Sequence, residues 1–427
     1  MITNIKLRNF KSIQKGEIDL KPLTIFTGAN SSGKSNIMEA ITILSQIANE
    51  ASTNSLSFPE HLELDRAEYY RYPMPSMKYI VYKGELEREI TIELQILSGK
   101  SKRSIGYSIK YASTPLRTEQ TFYINKNPTY RTTYSKSDTS ESSQFENPKF
   151  WRHQKTKQPS LYLLRPECLN PERERTDTIS PSTRKLDKRL NERAVKLVKE
   201  LTDELRKIYW ISAPRGIIPM QIPTGPDPTW VGKNGQNLIY ILSKIFGQRR
   251  YRSIQVKISN WSERFGIGDI GAGFRKGTFL GADFEDPSLK TIFDMVSASY
   301  GSRQLLTIIT QIFWSNSGDT LLIEEPEISL HPESQVLIQE LFAEAIDDGK
   351  QIICTTHSPF FILSLSKVIQ KELLSKNNVA VYHVEKKAEG TETRSLELNA
   401  RGFVKGWIPS YMEIENKLFD EWVEGLD

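Results

Sequence analysis

The stretch Gly28-Ala29-Asn30-Ser31-Ser32-Gly33-Lys34-Ser35 fits the pattern G-x-x-x-x-G-K-[ST] at every fixed position. Before it, Leu23-Thr24-Ile25-Phe26-Thr27 is apolar and β-branched, as a buried parallel strand requires. After it, Asn36-Ile37-Met38-Glu39-Ala40-Ile41-Thr42-Ile43-Leu44 contains no helix breaker. Strand, glycine-rich turn and helix in that order make a phosphate-binding loop. Gly28 and Gly33 permit backbone angles that a side chain forbids. The loop amides, from Gly28 through Ala29, Asn30, Ser31, Ser32 and Gly33 to Asn36, can then face phosphate oxygens at a helix N-terminus. Lys34 is placed to reach the β- and γ-phosphates of ATP, and the Ser35 hydroxyl to ligate Mg²⁺.

At 427 residues, 38% hydrophobic and 26% charged, the composition is that of an ordinary globular protein of two or three domains, or one large domain with an insertion. Two cysteines, Cys168 and Cys354, exclude a disulfide framework and suit a reducing cytoplasm. The N-terminus lacks a signal-peptide pattern, and no apolar run reaches bilayer-crossing length, so the expectation is a cytoplasmic protein with no membrane partner. Charge is unevenly spread. Residues 101–210 carry 23 Lys/Arg against 13 Asp/Glu, a surplus of ten, which leaves the rest of the chain five negative. Such a block can attract a polyanion or an acidic protein, or it can be a solvated helical face.

Ile2–Leu7 alternates as a strand, and Gly16–Leu20 reads as a second strand. Ile80-Val81-Tyr82, Glu89–Leu94 and Tyr107–Tyr111 continue the β pattern, after an irregular, proline-bearing 51–78. Thr132–Ser140 is nearly free of core formers and reads as an exposed loop. Leu186, Leu190, Ala194, Leu197, Val198, Leu201 and Leu205 then mark one face of an amphipathic helix over 183–207, with Lys and Arg around the rest. Ile208–Ser212 reads as a buried strand ending at Ala213-Pro214-Arg215-Gly216. Helices follow to about Ile245 and around Ile254–Phe265, and 267–285 is glycine-rich and then polar.

Two further strands end in chemistry. Thr320-Leu321-Leu322-Ile323-Glu324-Glu325-Pro326-Glu327 is apolar and then acidic, about 290 residues after the phosphate loop. The carboxyl end of a strand beside such a loop suits a carboxylate that holds Mg²⁺ and a base that orients water. Gln351-Ile352-Ile353-Cys354-Thr355-Thr356-His357 is a second apolar strand with a polar tip, where His357 could hydrogen-bond a γ-phosphate. His61, His153 and His383 carry no Cys/His metal spacing.

Taken together these motifs resemble the RecF/SMC/OLD branch of ABC-type ATPases. The resemblance covers Leu7-Arg8-Asn9-Phe10-Lys11-Ser12, Gly28–Ala40, Trp210–Arg215, Val231–Leu238 and 294–364. It implies that Glu324 holds Mg²⁺ where the family usually has Asp, that Glu325 is the general base and that His357 is the γ-phosphate switch. It also implies that Ser299, Gly301 and Ser302 form the signature that closes over a second protomer's ATP. Here Tyr300 interrupts the family's Ser-Gly pair. Gln46 is the one candidate for the lid glutamine. OLD-type nucleases append a metal-dependent nuclease domain, and no Asp-x-Asp pair follows Ser364. Stand-alone members resemble the ATPase subunits of bacterial anti-phage defence systems, which act with a separately encoded effector, for example a nuclease.

The expected fold is α/β, a P-loop NTPase of ABC-ATPase type. It has an N-terminal β-rich lobe (1–111), a basic mixed insertion (112–207) and a C-terminal α/β lobe (208–427). The expected protein is an ATPase that forms a homodimer or higher homo-oligomer around ATP and Mg²⁺ and signals to an effector. The alternatives are a RecF-like protein that binds double-stranded DNA, and a nucleotide-gated scaffold with little turnover. Changing Arg184, Lys185, Lys188 and Arg189 together to Glu is expected to weaken partner binding at least tenfold, about 1.4 kcal/mol, with basal ATPase retained. Loss of ATPase with partner binding intact would place the helix in the catalytic body.

Overall fold

A computed structural model describes residues 1–50, 80–99, 102–113, 116–137, 140–147, 150–155, 193, 196–213, 215–216, 219–220, 222–225, 228–275, 277–405, 417 and 421. Arg184, Lys185, Lys188 and Arg189 lie outside these residues, as do Leu186, Leu190 and Ala194 of the expected amphipathic helix. The chain forms two compact units.

The first unit comprises Met1–Leu20, Ser35–Ile208 and Lys386–Glu392. Its strands are β1 (Ile2–Phe10), β2 (Ile13–Asp19), β4 (Ile90–Leu97), β5 (Ser104–Ser113), β6 (Leu116–Ile124), β7 (Asn127–Ser137), β8 (Ser140–Asn147) and β9 (Phe150–Lys155). They form one eight-stranded antiparallel sheet in the order β2-β1-β4-β5-β6-β7-β8-β9. The register stacks apolar residues into cross-strand rows, Leu7 with Ile92 and Ile109, and Ile5 with Leu94 and Tyr107. All six are buried. The helix Lys34–Glu50 buries Ile37, Met38, Ile41 and Leu44 at three- and four-residue spacing. Residues 196–205 are helical and bury Leu197, Val198, Leu201 and Leu205, as the expected leucine face requires. Ser45 Oγ donates to the Leu205 carbonyl at 2.8 Å and ties these two helices together.

Two expectations change in this unit. Ile80-Val81-Tyr82 is not a full strand. Val81 makes a single bridge to Phe10, and Tyr82–Gly84 is a 3₁₀ turn with Lys83 at φ 56°. Thr132–Ser137 is not a loop but part of β7. Threonine and tyrosine suit a pleated strand whatever their polarity, and an antiparallel sheet tolerates a polar face.

The second unit comprises Lys21–Lys34, Tyr209–Glu385 and Thr393–Asp427. Its main sheet joins β3 (Leu23–Thr27), β10 (Ile208–Ile211), β15 (Thr320–Glu324), β16 (Gln351–Thr356), β17 (Val379–Lys387) and β18 (Gly390–Leu396) in the order β10-β15-β16-β3-β17-β18. The pairs β15–β16, β16–β3 and β3–β17 are parallel. Helices Tyr300–Trp314, Pro332–Asp347 and Pro359–Leu363 connect or follow these strands, and the core is built from Leu23, Ile25, Leu321, Ile323, Ile352, Leu305, Ile309, Ile338 and Phe342.

A smaller antiparallel sheet contains β11 (Ile222–Pro223), β12 (Asp269–Phe274), β13 (Phe279–Glu285) and β14 (Ile292–Asp294). It occupies the stretch that reads as glycine-rich and polar. The glycines are the reason it can form. A Cβ on Gly271 would lie 2.1 Å from Oδ1 of Asp283 in β13, whose other oxygen, Oδ2, pairs with Arg275 Nη2 at 2.7 Å. Ile353 in β16 lies in the buried parallel sheet, with strands on both sides. Ile353→Ala is expected to cost about 2–5 kcal/mol, read as a lower denaturant midpoint. An unchanged midpoint would mean that this sheet is not the unit's core.

Candidate functional site

Parallel register sets the chemistry side by side. Glu324 stands opposite Thr355, Thr356 opposite Thr27, and His383 opposite Thr27 on the other flank. The carboxyl ends of three adjacent strands therefore carry the acidic turn, His357 and the phosphate loop, with His383 of β17 level with the last residue of β3. This is where open α/β sheets bind ligands.

The loop leaves β3 at Gly28, whose φ is 149°. A Cβ there would sit 2.1 Å from the Val384 carbonyl oxygen of β17, so only glycine lets the loop lie against that strand. Gly33 has φ 107° and Ser31 φ 60°. Ala29, Asn30 and Ser31 form the exposed tip, and Ser32 and Lys34 are buried beneath it. Lys34 Nζ donates to the carbonyls of Gly28 at 3.0 Å and Ala29 at 2.8 Å, which fixes the ammonium inside the curl. Burial pulls that ammonium down to about 8, against the pull of Glu325 and Glu327. Ser35 follows, exposed, in the first turn of the helix. Asn36 Nδ2 donates to Ser12 Oγ at 2.7 Å.

The acidic turn is built on strain. Glu325 has φ 41°, a left-handed angle rare for a side-chain residue. Its amide donates to the Thr355 carbonyl at 3.0 Å, and its own carbonyl accepts from Arg215 Nη2 at 3.0 Å. Arg215 Nη1 donates to the carbonyls of Glu324 at 2.7 Å and Ser212 at 2.9 Å. Arg215 is fully buried, and burial brings its guanidinium down to about 10, opposed by Glu327 and Glu324. Glu324 Oε2 accepts from the Ala213 amide at 3.3 Å. Glu325 Oε1 lies 3.5 Å from His357 Nε2, and this contact holds its carboxyl below the usual range, so Glu325 is ionised at neutral pH. Glu327 turns inward. Its Oε1 accepts from Thr356 Oγ1 at 2.7 Å and from the His357 amide at 2.8 Å, and burial pushes its carboxyl up.

Ser299 caps the helix Tyr300–Trp314, its Oγ accepting from the Ser302 amide at 3.1 Å, and the two hydroxyls lie 2.8 Å apart. A Cβ on Gly301 would be 2.5 Å from the Ser329 carbonyl, so Gly301 packs on the turn that follows Glu325. Ser299 and Tyr300 are exposed. Gln46 is fully buried in the other unit. Arg215 and Glu327 are the structural surprises. The one signal for Arg215 is an arginine directly after a buried strand.

Residues 1–362 match the profile of the AAA ATPase domain. The chain belongs to the AAA ATPase domain family. A relative from Helicobacter pylori (strain ATCC 700392 / 26695), an ATP/GTP phosphatase, is 27% identical to this AAA ATPase over 137 residues. The match spans 30% of the present chain and 37% of that protein. Among solved structures, the SMC head bound to the C-winged helix domain of ScpA is similar, with a TM-score of 0.50 and 12% identity over 93% of this chain and 98% of that one. The fold is thus that of ABC-type P-loop ATPase heads. Among the described residues, no helix is long and apolar enough to cross a membrane.

A nucleotide fits this loop on structural grounds: the Gly28 cradle has no room for a Cβ, and the Lys34 ammonium inside it bonds backbone carbonyls that a phosphate can replace. Below pH 8 the free Lys34 is charged. Above it, phosphate binding must first restore the proton. Affinity for ATP in EDTA is therefore expected to weaken by up to about tenfold per pH unit above 8, and Lys34→Ala to abolish binding at pH 7. Affinity that is flat from pH 7 to 9 would mean that Lys34 does not face the phosphates.

Proposed function

We propose that the protein hydrolyses ATP and dimerises around it, and that closure is passed to a separately encoded effector through residues 112–207. The observation that carries this reading is the Glu325–His357 pair, 3.5 Å apart at strand ends adjoining the phosphate loop. The named activity of the Helicobacter pylori relative, on ATP and GTP, supports the substrate class.

The residues divide the work. The loop amides and Lys34 bind the triphosphate, and the buried ammonium complements charge on the β- and γ-phosphates. Ser35 and Glu324 would hold Mg²⁺, a hydroxyl and one carboxylate being the sparse protein set that this ion takes beside phosphate oxygens. When bound, the ion neutralises developing phosphate charge. Glu325, kept ionised, accepts the proton of the attacking water. His357 orients Glu325 and reads the γ-phosphate. Ser299, Gly301 and Ser302, at an exposed helix start, meet the nucleotide of a second copy.

The likeness of the phosphate-loop and Glu324–Glu327 motifs to those of anti-phage ATPase subunits supports a cytoplasmic defence role with an effector such as a nuclease. A second reading, a RecF-like clamp on double-stranded DNA, draws on the surplus of ten positive charges over 101–210. A duplex affinity that falls steeply with salt would favour it. Glu325→Gln is expected to keep ATP binding and slow hydrolysis by about two decades or more, with the mutant accumulating as an ATP-bound dimer in size-exclusion chromatography. Turnover at the wild-type rate in that mutant would place the base elsewhere.

A further inference from the structure

Glu327 is the carboxylate that the proposed chemistry does not use. It is three residues past the end of β15, beyond Pro326, and its side chain is 7% exposed. One oxygen, Oε1, takes both the Thr356 hydroxyl, at 2.7 Å, and the His357 amide, at 2.8 Å. The other, Oε2, is buried and makes no hydrogen bond among the described residues. Thr356 is the last residue of β16 and is fully buried, and its Oγ1 also accepts from the Ser358 amide at 3.0 Å. A single oxygen therefore fixes the backbone on both sides of the point where His357 leaves the sheet.

The location excludes a role as base. A buried oxygen already accepting two hydrogen bonds cannot collect a proton from a water at the strand ends. Its fixed partners instead lie one bond from the switch. The imidazole of His357 reaches Glu325 at 3.5 Å, and it can do so only if the His357 amide keeps its direction. Glu325 itself is pinned through its backbone to Thr355, the preceding residue of the same strand end. Base and switch thus share one frame, and Glu327 closes it from below.

We propose that Glu327 is a positioning residue that sets the direction of His357 and, through it, the orientation of the Glu325 carboxylate. The proposal rests on the reading of Glu325 and His357 as base and switch. Electrostatics agree with a role in alignment. Lys34, Arg215 and Cys354 all feel Glu327, and burial together with the nearby Glu325 charge raises its carboxyl, so the group suits holding hydrogen bonds more than supplying charge.

The test uses the full chain and two variants. Glu327→Ala should lower kcat by at least about tenfold while KM and ATP-analogue affinity stay within about twofold, the size expected for a misaligned catalytic group. Glu327→Gln keeps an acceptor oxygen at the same place and should recover most of the loss. A wild-type kcat in the alanine variant, or a glutamine variant as impaired as the alanine one, overturns the proposal. A loss of affinity equal to the loss of kcat also overturns it. A second readout does not need turnover. In the nucleotide-free protein the His357 ring resonance, assigned by its disappearance in His357→Gln, should shift or broaden in Glu327→Ala and be restored in Glu327→Gln. A resonance unmoved by Glu327→Ala overturns the positioning role. A wild-type protein that does not hydrolyse ATP overturns the proposed function instead, and leaves the resonance to decide this inference.

Discussion

A fully buried guanidinium is the constraint on which the second unit depends. Burying a charge is tolerable only when its hydrogen bonds are met inside the protein. Arg215 meets most of that demand with main-chain carbonyls, its Nη1 and Nη2 donating to those of Ser212, Glu324 and Glu325, while its Nε makes no hydrogen bond among the described residues. The choice of partners matters. A carboxylate partner would have locked up an acidic side chain, whereas the carbonyl grip holds the backbone of the acidic turn and directs the fixing force away from the Glu324 and Glu325 side chains. The left-handed Glu325 is sustained by the same grip.

Charge around this anchor is closely matched. Two buried cations, Lys34 and Arg215, share the strand ends with Glu324, Glu325 and Glu327. Burial draws the two cations down and Glu327 up, and nearby opposite charges hold the cations back. His357 tips the balance at Glu325 alone, which stays the most acidic of the shifted carboxyls at the site. A polar cluster of this kind is rigid when all its bonds are made.

Much of this was legible because it is local in sequence. The phosphate loop is a fixed spacing, and the Gly28 and Gly33 angles confirm the reason for its glycines. Glu324, Glu325 and His357 were legible because an apolar run with a polar tip reports a strand and its carboxyl end together. What escaped was set by distant partners. Arg215 bonds carbonyls more than a hundred residues away, and carbonyls leave no mark in a sequence. The glycine-rich 267–285 carries no strand pattern, and the reason for Gly271 is Asp283 lying across it. Thr132 and Thr133 read as loop because their polarity outweighed a shape suited to strands.

The position of β3 has a consequence for how the protein is made. This strand belongs to the first thirty residues, yet it lies inside a parallel sheet between β16 and β17. The Gln351 side chain reaches back to the Lys21 carbonyl across 330 residues of chain. On the ribosome, Leu23–Thr27 emerges early and must wait, apolar and without its sheet neighbours, until most of the chain has been synthesised. Such long-range pairing is slow and exposes sticky strand edges in the interval. The phosphate loop therefore acquires its shape only after strands made more than three hundred residues later have paired with β3, and a chain that stops before residue 351 lacks both sheet neighbours of that loop's strand.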